Sequence, residues 1–269
     1  MYHLLAVQVK RLFYSKLFYI SLLIGSAITI AQYIQMTTII FSSEKMVKSI
    51  IPDSTYLLWL NINLSELTNL FFMLLPILAV LPFSIQLLVD KKTNYSQFMI
   101  MKSGKYTYLF SMIIVSSISG FLVIFLPILI NFFLFSLTFP AISPSPFIYY
   151  MYGLDWFDTL FYELHLSYPL IHALFYIFLS GLIGSLFAAL ATTLCLFFRY
   201  TLIILTIPLI INLITSLLSE FFEIGISPML FLNMTSSVPI YLWSTLMFCC
   251  FMIVCTLILL SIGVRRLEN

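Results

Sequence analysis

The stretch LLVDKKTNYSQFMIMKSGKYTYLF, residues 87–110, separates two long apolar runs and decides how the whole chain is interpreted. It holds four lysines and one acid, although only 8% of the chain's residues are charged. Its middle, from Phe98 to Met101, is apolar, which a purely solvated loop would not need. The stretch therefore predicts a short helix ended by the turn signal Ser103-Gly104-Lys105, with a membrane span on either side. The alternative is a positively charged loop whose apolar residues rest at the membrane interface.

The composition of the chain excludes a water-soluble fold. Its 269 residues are 62% hydrophobic, include 27 phenylalanines and have a mean hydropathy of +1.12. A soluble domain of this length needs far more polar surface to cover its core. The four cysteines lie in apolar runs without a C-x-x-C spacing, so we interpret them as small hydrophobic residues. The predicted class is an all-α, multi-pass membrane protein.

Six apolar runs are long enough to cross a hydrocarbon core of about 30 Å, which takes about 20 helical residues. We predict one transmembrane domain over residues 1–269, with spans at 17–41, 67–89, 106–139, 169–198, 200–218 and 240–264. The third and fourth runs are long enough to tilt or to extend beyond the membrane surface.

The distribution of cations predicts the orientation of these spans. Ten of the twelve lysines and arginines fall on one side, and only Lys45 and Lys48 fall on the other. The ten are Lys10, Arg11, Lys16, Lys91, Lys92, Lys102, Lys105, Arg199, Arg265 and Arg266. Because cytoplasmic connections carry the excess of cations, we expect the ten-cation side and both termini to be cytoplasmic.

The first sixteen residues interleave apolar and cationic side chains, among them Lys10, Arg11, Phe13 and Lys16. This pattern predicts a helix lying in the plane of the interface, with its apolar side down and its cations toward anionic headgroups. The alternative is a frayed positive flank of the first span.

Small residues spaced four apart predict where helices approach closely. Such pairs are Ser116 with Gly120 in the third span, and Gly181 with Ser185 and Gly184 with Ala188 in the fourth. They can serve packing within the chain or between two chains.

Few residue patterns in this chain suggest chemistry of its own. The six spans carry essentially no ionisable side chain away from their ends, which disfavours a proton-driven carrier. The nearest approach to a phosphate-binding loop, at 103–106, lacks the upstream glycine and has Tyr106 where Ser or Thr is needed. His165 and His172 lie seven residues apart, too far for a shared metal unless the chain bends at Pro169, and we interpret them as surface histidines. We therefore predict no enzyme activity and no bound cofactor or metal.

With its spans and its basic connection, the chain resembles the membrane subunit, or permease, of an ABC-2 type (type V) ABC transporter. Such permeases have an N-terminal elbow helix, six spans and a short coupling helix between the second and third spans. The matching positions are Asp90, Lys91, Lys92, Tyr95, Phe98, Met99, Ile100 and Lys105. Asn94 stands where the family usually has glycine, and Gly104 stands near its usual proline.

The resemblance implies that a separate ATPase subunit docks on the coupling helix and binds ATP and Mg²⁺. It also implies a second permease copy or a sister permease, a bacterial plasma membrane location and no nucleic-acid partner. Export of a hydrophobic or amphipathic cargo, such as a peptide, a lantibiotic or a drug, is the expected function. The alternatives are a non-transporting immunity or scaffold protein and a secondary transporter.

Overall fold

The computed structural model describes residues 2–42, 54–62, 65–145, 159–234 and 238–266, and within them every regular element is a helix. In chain order the described helices are α1 (Tyr2–Phe13), α2 (Lys16–Ser42), α3 (Thr55–Leu58), α4 (Glu66–Val80), α5 (Gln86–Lys92), α6 (Tyr95–Ser103), α7 (Lys105–Thr138), α8 (Tyr162–Ser167), α9 (Pro169–Leu194), α10 (Thr201–Phe222), α11 (Pro228–Phe231) and α12 (Leu242–Arg266). The predicted all-helical class is confirmed.

Five of these helices, α2, α7, α9, α10 and α12, are long and apolar enough to cross a membrane. Their bounds lie within a few residues of five of the predicted spans. The chain therefore has the architecture of a multi-pass membrane protein.

The predicted span at 67–89 is not one continuous helix. The structure gives α4, which ends at Val80, then a series of turns, and then α5 from Gln86. Pro82 lies in the turns, where it has no N–H to donate and its ring would clash with a preceding carbonyl in a continued helix. Pro76, by contrast, lies inside α4. The fifteen residues of α4 span only about 22 Å, so a sixth crossing remains a prediction.

Helix α7 is the centre of the bundle and packs most extensively against α9 and α2. Gly120 of α7 and Gly184 of α9 meet backbone to backbone, since a Cβ on Gly184 would lie 2.8 Å from the Gly120 carbonyl oxygen. A Cβ on Gly120 would lie 2.6 Å from the Cβ of Ala188. Close approach without side chains maximises van der Waals contact, which drives helix association in lipid.

Two short segments fold back between the long helices instead of running over the surface. Residues 54–62 are all buried, and the segment around α11 is largely buried. The two meet through the backbone, because the Met234 N–H donates to the Asn61 carbonyl and the Asn61 side-chain amide donates to the Leu232 carbonyl at 2.8 Å. Such irregular backbone is tolerated at membrane depth only where protein surrounds it.

The outward faces of the long helices are apolar and exposed. Leu202, Leu217 and Phe221 of α10 are 73%, 66% and 80% exposed, and Leu257 of α12 is 59% exposed. These surfaces suit contact with lipid chains or with another apolar helix.

Candidate functional site at the basic end

The cationic side of the bundle gathers α1, α5, α6, the turn after α9 and the end of α12. We call this side the basic end and the opposite side, with α3, α8 and α11, the far end. Gly263 of α12 lies against Leu196, and Ser15 after α1 donates to the Pro82 carbonyl, which links these segments. Nine of the ten cations predicted to share a side belong to the segments that meet at this end, the side chain of Arg266 lies outside the description, and Lys45 and Lys48 lie outside the described residues.

A buried ion pair fastens α1 to α5. The two terminal nitrogens of the Arg11 guanidinium, Nη1 and Nη2, both donate to the Asp90 carboxylate, Nη1 at 2.9 Å. The Asp90 side chain is 2% exposed. The Tyr108 hydroxyl of α7 donates to the same carboxylate at 2.6 Å. A bidentate Arg–carboxylate pair with an additional donor fixes the geometry of three helices at one point.

The charge on Arg11 is retained despite its partial burial. Desolvation by burial opposes the charge, but the hydrogen bond and the negative charge of Asp90 outweigh it and raise the pKa of Arg11. The guanidinium also lies over the ring of Tyr95, 4.8 Å from its centroid. Arg11 therefore faces the protein interior, and the prediction that it points toward headgroups is wrong. A local sequence window cannot show a partner 79 residues away.

Lys91, like Asp90, points into the structure. Its ammonium donates to the carbonyls of Cys195 and Leu196 at 2.9 and 3.3 Å, where α9 ends. A cation at this position satisfies carbonyls that have no partner within the helix and complements the negative end of its dipole. Of the predicted coupling positions 90–92, only Lys92 is exposed.

Helix α6 contains the apolar stretch from Phe98 to Met101. Asn94 precedes it with a left-handed φ of 58°, and Gly104 follows it with a φ of 80°. Asn tolerates this conformation better than most residues because its short side chain bonds locally, so Asn94 can occupy a position where glycine is usual. The two boundaries isolate α6 as a separate helix between α5 and α7.

The side chains of α6 divide between an inner and an outer face. Met99 and Ile100 pack against the buried core, while Phe98 is 58% and Met101 80% exposed. Met101 is thus the most exposed apolar residue of the helix, although the resemblance did not single it out. Lys105 begins α7 directly after this helix.

A groove of about 610 Å³ lies between α1 and α6. Its lining includes Leu4, Val7, Tyr95, Phe98, Met99 and Lys102. An apolar groove with a cation at its edge is suited to binding an amphipathic segment of another protein. Three residues of the predicted elbow segment lie outside the lining of this groove. They are Lys10 and Phe13 of α1 and Lys16 at the start of α2.

The predicted packing residues lie away from the basic end. Ser116 shares a hydrogen bond of 2.7 Å with Ser84 and donates to the Ala188 carbonyl, beside the contact of Gly120 with Gly184. A Cβ on Gly181 would meet the Phe121 ring, whereas Ser185 is half-buried and bonds only within its own helix. Apart from Ser185, these positions join α7 to α9 within one chain, and contact between two chains stays a prediction.

The two histidines at the far end are buried, so their assignment to the surface is wrong. The chain bends at Tyr168 before α9 and brings the Nδ1 atoms of His165 and His172 to 2.9 Å from each other. His172 Nε2 lies 2.7 Å from the Leu160 carbonyl oxygen, which can only accept, so this nitrogen carries the proton. His172 Nδ1 then accepts from the Nδ1–H of His165.

The histidine pair has too few neighbouring donors for a metal site. Among the described residues no group of three or more His, Cys, Asp or Glu side chains could hold a metal ion. Burial and the neighbouring His172 together lower the pKa of His165 to about 3. The pair is thus a neutral hydrogen-bonded contact between α8 and α9.

No protein-family model, curated protein or solved structure matches this chain.

Proposed function

We propose that this chain is the membrane subunit of an ABC-2 type ATP-driven exporter, and that a separate ATPase subunit docks on the exposed face of α6 and in the groove between α1 and α6. The observation that carries the proposal is the exposed apolar pair Phe98 and Met101 on a short helix at the basic end. Apolar side chains that protrude from a polar, cationic surface are typical of binding hot spots rather than of solvated loops.

The attachment of α6 supports coupling between a docked subunit and the bundle. Helix α6 connects directly to α5 and α7, and α5 is held to α1 through Arg11 and Asp90. Lys91 in turn joins α5 to the end of α9. A displacement of α6 by a partner would therefore be transmitted to α5 and α7 along the chain and through α5 to α1 and α9, since well-packed contacts transmit strain.

The exposed apolar faces of α10 and α12 support a membrane-embedded assembly. A second copy of the chain or a sister permease would cover part of these faces. The cargo would be hydrophobic or amphipathic, entering partly from the bilayer, because the spans offer few charged groups to bind a polar solute. ATP and Mg²⁺ would bind to the ATPase, and the basic end would face the cytoplasm of a bacterial cell.

The test is purification of the tagged chain in mild detergent from the cells that encode it, with measurement of the co-purified ATPase and its ATP hydrolysis. We expect a stoichiometric ATPase with wild-type chain. The double variant Phe98→Ser, Met101→Ser should weaken its binding by about tenfold or more, as loss of an interface anchor does.

A matched control is Tyr14→Ser, which removes an exposed aromatic side chain at the same end but neither on α6 nor in the groove lining. It should leave the amount of bound ATPase unchanged. Wild-type chain that carries no ATPase, or a double variant that retains it in full, would refute the proposed function.

A further inference from the structure

A second cavity at the basic end lies on the other side of α6. It has a volume of about 520 Å³ and lies between α5, α6, the turn after α9 and the end of α12. Its lining includes Lys91, Lys92, Gln97, Phe198, Arg199 and Gly263. The α6 residues here, Ser96, Gln97 and Ile100, differ from those that line the groove against α1.

The described residues that line the cavity carry net positive charge. Three of its lining residues are cations, and none of the described residues that line it is acidic. The neighbouring carboxylate, Asp90, is buried and already bound to Arg11. Lys91 is held in place by the carbonyls at the end of α9, while Lys92 and Arg199 are exposed. The charges of Lys92 and Arg199 are therefore available to an anion.

The position of the cavity relates it to the membrane interface. Arg199 lies in the short connection between the apolar helices α9 and α10, where a span ends. The residues beside it are large and exposed, with Tyr200 and Leu202 each 73% exposed and Phe198 36%. A cationic cavity beside an apolar surface matches a molecule that has an anionic head and an apolar tail.

We propose that this cavity binds the phosphate of an anionic phospholipid headgroup. Lys92 and Arg199 supply the charge, and the planar guanidinium can donate two parallel hydrogen bonds to phosphate oxygens. The acyl chains lie along Phe198 and Leu202 of the exposed apolar surface. The lipid thereby joins α5, α9 and α12 at the basic end, and this site does not depend on the binding of an ATPase in the other groove.

The test is a binding titration by native mass spectrometry on the full-length chain in neutral detergent. The probes are dioleoyl phosphatidylglycerol, dioleoyl phosphatidylcholine and inorganic phosphate. We expect phosphatidylglycerol to bind at least about tenfold more tightly than phosphatidylcholine, because each cation near the surface contributes to anionic-lipid binding. The variant Lys92→Gln, Arg199→Gln should lose about tenfold or more of that affinity.

The matched control is Lys16→Gln, Lys102→Gln, which removes two exposed cations from the same end but outside the cavity. It should keep wild-type affinity, and the melting temperatures of both variants show whether they are folded. Equal affinity for the two lipids, an unchanged Lys92→Gln, Arg199→Gln variant, or an equal loss in the control would overturn the proposal. Binding of inorganic phosphate as tight as that of the lipid would instead assign the cavity to free phosphate.

Discussion

The two ends of this bundle hold their helices together by different chemistry. At the basic end a full ion pair, Arg11 with Asp90, is buried against Tyr108. At the far end, neutral groups hold the helices together. The Asn131 side-chain amide of α7 donates to the Thr29 carbonyl of α2 and accepts from the Leu60 N–H. Within the part of the chain that the structure describes, the buried carboxylate and its ion pair thus lie at the basic end, where part of Arg11 still reaches water, while amides and hydroxyls bond the helices at the far end.

Breaking the ion pair should give the largest loss of stability. Arg11→Met leaves the Asp90 carboxylate buried without its counter-charge, which typically costs about 3–5 kcal/mol. We expect the low end of this range because Tyr108 and Gln86 still donate to Asp90. The measurement is thermal or denaturant unfolding in detergent.

Two comparison variants sharpen this prediction. Lys10→Met removes an exposed cation from the same helix and should change the free energy of unfolding little. Arg11→Met combined with Asp90→Leu removes both charges and should recover part of the lost stability, since no isolated charge stays buried. If Arg11→Met lowers the free energy of unfolding no more than Lys10→Met does, the ion pair does not stabilise the basic end.

At the far end, Asn131→Leu should cost less than Arg11→Met. The substitution leaves the buried Leu60 N–H and the Gln32 side-chain oxygen without their partner, and each unsatisfied neutral group costs about 1–3 kcal/mol. Denaturant unfolding of Asn131→Leu beside Ser136→Leu, an exposed site on the same helix, isolates the effect of the buried amide. A cost at Asn131 as large as that of breaking the ion pair would remove the contrast between the two ends.

The contact between the ends, where α7 meets α9, should be sensitive to a single methyl group. Gly184→Ala would place a Cβ 2.8 Å from the Gly120 carbonyl oxygen, so the helices must separate, at a cost of about 1–3 kcal/mol. Ser185→Ala, on the half-buried side of the same turn, should be close to neutral. Unfolding curves for the two variants test this, and equal stabilities would contradict the close packing of α7 and α9.

The smallest expected effect is a dependence of stability on pH at the far end. Because the folded pKa of His165, about 3, lies below its ordinary value of 6.5, the unfolded chain binds a proton that the folded chain does not at intermediate pH. The stability is fully present above pH of about 6.5 and falls as the pH drops from there toward 3. Melting temperatures at pH 7.5 and 5.5 should differ less for His165→Phe than for wild type. An equal difference in both would show that His165 titrates normally.

The sequence alone predicts the helices that depend on local pattern. Long apolar runs predict the five long helices, and Phe98 to Met101 between two polar turns predicts α6. Both follow from the burial and turn preferences of neighbouring residues, which a short window contains.

Features that depend on distant partners could not be predicted in the same way. Pro76 and Pro82 look alike in sequence, yet one lies inside α4 and the other in the break after it. The bend at Tyr168 brings His165 onto His172, and the pairing of Arg11 with Asp90 joins residues 79 apart. A histidine near an outer helix end and a cation near the N-terminus have common surface roles, so only the three-dimensional fold distinguishes the buried ones.

The most direct test of the proposed function is reconstitution into liposomes that contain a fluorescent amphipathic peptide. We expect peptide movement only when the chain is combined with its co-purified ATPase and supplied with ATP and Mg²⁺, and a strong reduction for Phe98→Ser, Met101→Ser. Movement driven by the chain alone, with no second protein and no nucleotide, would contradict the account.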